Sequence, residues 1–151
     1  LNFPDNQMDN MPLLEIVKKI DTIIDKYNPN IIYTHHFGDL NIDHQITHRA
    51  VMTSCRPQPE SNVREIYSFE ILSSTHWQSS SMSNPFVPNY FVDVSNFIKQ
   101  KIQALACYDD EMRKYPHIRS YDSVNHLAAL RGSAVGINLA ESFVVERLVN
   151  K

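Results

Sequence analysis

The chain has 151 residues, the size of one ordinary domain, and its 42% hydrophobic content is enough to bury a sizeable core. Seventeen acidic residues against fourteen basic ones leave a formal charge of -3 with no Lys/Arg cluster, which argues against a nucleic-acid or anionic-membrane surface and for a small or neutral partner. No apolar run approaches the roughly 20 residues of a membrane span, and no signal-peptide pattern is present, so a cytoplasmic protein without membrane insertion is expected.

The chain opens on Leu1 in what reads as mid-loop sequence, and a fragment is expected. Asn10 can cap a helix with Pro12 in its first turn, and apolar residues from Leu13 to Tyr27 then recur at helical spacing. Residues 28–30, Asn-Pro-Asn, break it. Residues 31–34 are apolar and β-branched, the pattern of a buried strand, and end in His35 and His36. A polar loop follows, and helical spacing resumes from His44 through Ile46, Ala50, Val51 and Cys55 until Pro57 and Pro59 stop it. Residues 63–72 read as a second strand, and residues 73–88 as a long polar surface loop. Residues 90–94 form a third strand, after which Ser95 can cap a helix bearing Phe97, Ile98, Ile102 and Leu105. A helix from about Ser120, a glycine pair at Gly132 and Gly136 suited to helix termination, and a closing strand over 143–149 complete the chain. The order helix, strand, polar loop, helix predicts an α/β fold with a mostly parallel sheet flanked by helices, in which ligands sit at the carboxyl ends of strands. Cys55 and Cys107 both fall in helical stretches and are expected as buried free thiols in a reducing compartment. Three glycines leave no phosphate-cradling loop, so nucleotide binding is disfavoured.

The chemistry concentrates in residues 35–48, which hold four of the seven histidines and two aspartates. Metal ions take neutral imidazole or carboxylate ligands, with an outer carboxylate fixing the histidine tautomer, and this strand end supplies both types. His44 and His48 are four apart and share a helix face, a spacing that suits a zinc pair. That face continues through Val51 and Cys55, which makes His48 equally a satisfied core histidine, whereas His44 faces the loop. His35 and His36 alternate across the strand end, so at most one faces the crevice, with His36 favoured. Asp39 is a loop-turn candidate and Asp43 a helix-cap candidate.

The stretch Tyr33-Thr34-His35-His36-Phe37-Gly38-Asp39-Leu40-Asn41-Ile42-Asp43-His44 resembles the second motif of the LmbE/PIG-L zinc-dependent N-deacetylases, in which an Asp-His pair after a strand supplies the third zinc ligand. The tail is similar as well, with Arg131-Gly132-Ser133-Ala134-Val135-Gly136 and Ala140-Glu141-Ser142-Phe143 matching the family's closing pattern, and the opening Phe3-Pro4-Asp5-Asn6 resembles the stretch between the family's first helix and its next. The resemblance implies a single Rossmann-like domain over residues 1–151, amino-terminally incomplete, with its first strand and helix missing. It implies Zn2+ as cofactor and hydrolysis of an acetamide on an amino sugar or related small molecule. His44 would be the metal ligand, Asn41 an oxyanion or substrate donor, Asp43 an orienting residue of the catalytic group, and Asp39, His36, His117 and Arg119 would shape the substrate pocket. The family's His-Pro-Asp-Asp motif, which supplies two further ligands and the general base, does not occur in these residues, so this chain alone is expected to be inactive. Asn41 also stands where many members have a histidine, and asparagine donates a hydrogen bond but carries no proton. The rival expectation is a non-catalytic deacetylase-like domain that binds a sugar or a partner protein. His117 reads equally as an exposed loop histidine, and Trp77 either as a platform for a sugar ring or as an anchor pinning its loop. The sequence carries no signature of oligomeric state, and a homo-oligomer is compatible with it.

Overall fold

A computed structural model describes residues 1–81 and 84–150. The chain folds as two compact units, the first comprising residues 1–87 and 144–151 and the second residues 88–143.

In the first unit a 3-10 turn over Met8–Asn10 precedes α1, Leu13–Tyr27. The helix starts one residue after Pro12, which takes the cap position expected of Asn10, because a proline can open a helix but not continue one. Its inward face buries Ile16 and Val17, which cluster with Met8 and Ala50. Burial of side chains of this size stabilises by about 1.5–3 kcal/mol each. Asn28 ends α1 in the left-handed conformation at φ 46°, its amide donating to the Ile24 carbonyl at 2.7 Å. Strand β1, Ile31–His35, runs parallel to β2, Glu65–Phe69, in the register Ile31 to Glu65 and His35 to Phe69. Between them α2, Ile42–Ser54, packs on α1 and β1. Its apolar face, Val51 with Cys55 at the helix end, joins Val63 and Ile66 in a second core cluster.

In the second unit β3, Tyr90–Asp93, pairs antiparallel with the first half of β4, Ala140–Leu148. Helices α3, Ile98–Ala106, and α4, Tyr121–Ser133, complete it. Ser120 caps α4 by accepting the Ser123 amide at 3.1 Å. Ser95 caps no helix: α3 begins three residues later, and the Ser95 hydroxyl accepts the Leu139 amide at 3.3 Å. The hydrogen-bonded strand order is β1-β2-β4-β3, and the antiparallel β3–β4 pair makes the expected α/β sheet a mixed one.

Two further expectations are corrected. Cys55 is buried, but Cys107 is exposed at the end of α3, a helix with no fully buried residue. Ser73, Ser74 and Thr75, expected on a surface loop, are buried. Trp77 is 54% exposed. Residues 82 and 83 of the expected loop lie outside the described residues.

Candidate functional site

Parallel pairing of β1 and β2 brings two chain segments together at the strands' carboxyl ends: residues 36–41 after β1 and residues 71–77 after β2. Main-chain bonds knit them, with the Leu40 amide donating to the Ser74 carbonyl at 3.0 Å. Gly38 is required at this closure, because a Cβ there would lie 2.0 Å from the Asn84 carbonyl oxygen.

Asp39 is the centre of the arrangement. Its carboxylate is fully buried, and the Asn41 amide donates to Oδ1 at 2.9 Å while Ser74 Oγ and Thr75 Oγ1 donate to Oδ2 at 3.0 and 2.7 Å. His44 Nδ1 lies 3.1 Å from Oδ1 and 3.4 Å from Ser74 Oγ. Burial pushes the Asp39 carboxyl up, but the hydrogen bonds from His44, the Asn41 amide, Thr75 and Ser74 outweigh it and hold it at about 2. Its main-chain oxygen also accepts from Gln45 Nε2 at 2.6 Å.

His44 occupies the first turn of α2 and keeps 21% of its side chain exposed. The His35 ring stacks on it, with centroids 4.1 Å apart and planes at 15°. Burial first, and then the neighbouring His44, push His35 down to about 4, so it stays neutral at physiological pH. His48 is buried and its Nδ1 lies 2.9 Å from the His35 carbonyl oxygen. A carbonyl only accepts, so that nitrogen carries the proton and is committed to the strand end.

The remaining expected site residues are distributed as follows. Asn41 is the cap of α2: its Oδ1 accepts the Asp43 amide at 2.8 Å and its Nδ2 lies 3.4 Å from Asn6 Oδ1. The cap role expected of Asp43 thus belongs to Asn41, and the Asp43 carboxylate instead accepts the Met8 amide at 3.0 Å. His36 is buried, with Nε2 3.2 Å from the Asn84 carbonyl oxygen and its ring edge against Phe86. Thr34 Oγ1, His35 Nδ1 and His36 Nδ1 are buried without a hydrogen-bond partner, three consecutive residues at the end of β1. His117 and Arg119 belong to the second unit, where the Arg119 amide donates to His117 Nδ1 at 3.0 Å and the Arg119 guanidinium pairs with Glu111. The first unit therefore brings Asp39, Asn41 and His44 together, while the His36 side chain meets Asn84 and Phe86 and the Asp43 carboxylate meets Met8. Ser74 and Thr75 escaped the sequence reading, although their place just after the strand paired with β1 was a usable signal.

Among the described residues no group of three or more His, Cys, Asp or Glu side chains is placed to hold a metal ion. The His44 ring is partly exposed and its Nδ1 faces a buried carboxylate, the setting in which ligand histidines are held.

Residues 1–55 match the family model described as PIG-L, GlcNAc-PI de-N-acetylase. The matched stretch, about a third of the chain, contains Asp39, Asn41, Asp43 and His44, and Ser74 and Thr75 reach it from beyond. The fold agrees across nearly the whole chain. N,N'-diacetylchitobiose deacetylase from Pyrococcus horikoshii superposes with a TM-score of 0.73 at 16% identity, over 97% of this chain and 56% of that one. The zinc-inhibited form of teicoplanin deacetylase Orf2 gives 0.67 at 22% identity, over 100% of this chain and 57% of that one. The 4-carboxy-2-hydroxymuconate hydratase GalB from Pseudomonas putida KT2440 gives 0.63 at 16% identity, over 91% of this chain and 61% of that one. The chain thus spans little more than half the length of the two deacetylases.

Proposed function

We propose that the protein is a zinc-dependent hydrolase that removes an acetyl group from an N-acetylated amino sugar or related small molecule, with His44 as one metal ligand. The observation that carries this reading is the buried Asp39 carboxylate set against His44 Nδ1 at a strand's carboxyl end, inside the stretch that matches the PIG-L family model. Zinc, when bound, lowers the pKa of a coordinated water towards neutrality and polarises the amide carbonyl. The chain's own residues shape the surroundings. Asp39 braces the ligand. Asn41 sits at the start of α2 with an amide able to donate to a substrate oxygen, at the end of the helix where partial positive charge gathers. Asp43 ties that turn to Met8. His36, in the same unit, is assigned to the wall of the substrate pocket, and the remaining ligands to residues other than these. The substrate is a small N-acetylated molecule; no described helix is long and apolar enough to cross a membrane.

Because the same fold carries a hydratase, the deciding measurement is the product, not the architecture. The full-length protein is incubated with a panel of N-acetylated sugars and free acetate is measured. Release by the wild type and its loss in His44→Ala support the proposal. A folded, zinc-loaded protein that releases no acetate across the panel leaves the sugar- or partner-binding reading in its place.

A further inference from the structure

The geometry points to Asp39 as a positioning residue that, clamped by Ser74 and Thr75, fixes His44 with its proton on Nδ1 and its lone pair on Nε2. This deepens the metal reading above and rests on it only for the use to which Nε2 is put. The tautomer follows from counting hydrogens. A carboxylate only accepts, so the Ser74 hydroxyl, 3.0 Å from Asp39 Oδ2, spends its single hydrogen there. Its oxygen faces His44 Nδ1 at 3.4 Å as an acceptor. The second neighbour of Nδ1, Asp39 Oδ1 at 3.1 Å, is an acceptor too. An unprotonated Nδ1 would set its lone pair against both, whereas a protonated one satisfies the pair at once.

The clamp is itself held from behind. Thr75 Oγ1 donates to Asp39 Oδ2 at 2.7 Å while accepting the Ile71 amide at 2.7 Å, so its hydrogen is directed at the carboxylate. The Asn41 amide, at 2.9 Å from Oδ1, cannot reverse at all. His35, stacked on the ring, blocks one face and limits its rotation. With tautomer and ring plane both set, Nε2 is the nitrogen left to bind a metal. The segment after β2 thereby supports a residue on α2 without touching whatever His44 binds.

The test is 15N NMR of the full-length protein, which assigns the protonated nitrogen of His44, followed by titration with zinc alone read at the His44 Nε2 shift. The expected wild-type state is Nδ1–H. In Asp39→Ala the Nδ1–H form loses its dominance, and zinc affinity at His44 falls roughly 10–100-fold, the usual effect of losing such a supporting partner. Asp39→Asn is a conservative rescue: the Ser74 and Thr75 hydroxyls can turn to accept from its amide, leaving its oxygen on His44, so the tautomer is kept and the affinity loss is smaller. A wild-type His44 protonated on Nε2 overturns the clamp without any variant having to fold. So does an Asp39→Ala protein with unchanged tautomer and affinity. A wild-type Nδ1–H ring whose Nε2 ignores zinc upholds the clamp and removes the metal reading instead.

Discussion

His48 shows how one histidine on a helix face is decided by its partner. Its position four residues after His44 suits a metal pair, and its apolar neighbours suit the core. In the structure its Nδ1 meets the His35 carbonyl at 2.9 Å in a buried setting, which commits that nitrogen to the end of β1. His48→Ala removes the donor and leaves a carbonyl without this partner, at a cost of about 1–3 kcal/mol. The expected result is a lower urea midpoint with an unchanged slope. The place of His44 in the first turn of α2 was legible in the sequence because helical spacing resumes there after a strand-end loop. The surroundings of Asp39 were not legible. Ser74 and Thr75 lie 35 and 36 residues away, and periodicity within one element says nothing about contacts between loops. Asp43 was misjudged as a cap because Asn41, two residues earlier, offers an equally good acceptor, and the helix begins at Ile42.

Single elements were read best where hydrophobic period and punctuation agreed. The apolar run of α1 ends at Tyr27, where the sequence ends it, because the following Asn-Pro supplies both a left-handed residue and a stop. Within α1 the same pattern separates inner from outer faces. Ile16→Ala, at a fully buried position, is expected to cost about 2–5 kcal/mol. Leu14→Ala, 60% exposed, should stay within about 0.5 kcal/mol, and paired urea unfolding curves compare the two. α3 was placed too early, since a serine followed by apolar residues looks like a cap whether or not its hydroxyl is engaged elsewhere. Gly132 stands in the last turn of α4, which ends one residue later at Ser133, and a Cβ there would come 2.7 Å from the carbonyl oxygens of Ile137 and Asn138. Alanine would raise helix propensity by about 1 kcal/mol, yet the contacts it meets are rigid backbone. Gly132→Ala should therefore destabilise the second unit by about 1–3 kcal/mol, seen as faster amide exchange in α4.

At the scale of the whole molecule the pairing of buried groups sets the response to acid. His35 is held at about 4 against an ordinary 6.5, so between those values the unfolded chain takes up a proton that the folded one refuses. Its contribution to stability is complete above pH 6.5 and is lost as the pH falls towards 4. Asp39 is held at about 2 against 3.8, so its contribution is complete above about pH 4 and disappears as the pH falls towards 2. Stability should therefore decline in two successive stages rather than one, measured as urea unfolding free energy across a pH series on metal-free protein. Variants separate the stages. His35→Phe keeps an aromatic ring for the stack on His44, and His35 Nδ1 has no hydrogen-bond partner to lose. This variant should flatten the decline between pH 6.5 and 4 and leave the lower stage in place. Asp39→Asn should do the reverse. If His35→Phe declines as steeply as the wild type over the upper range, the acid sensitivity there belongs to the other histidines, and the stacked pair at the end of β1 is not its source.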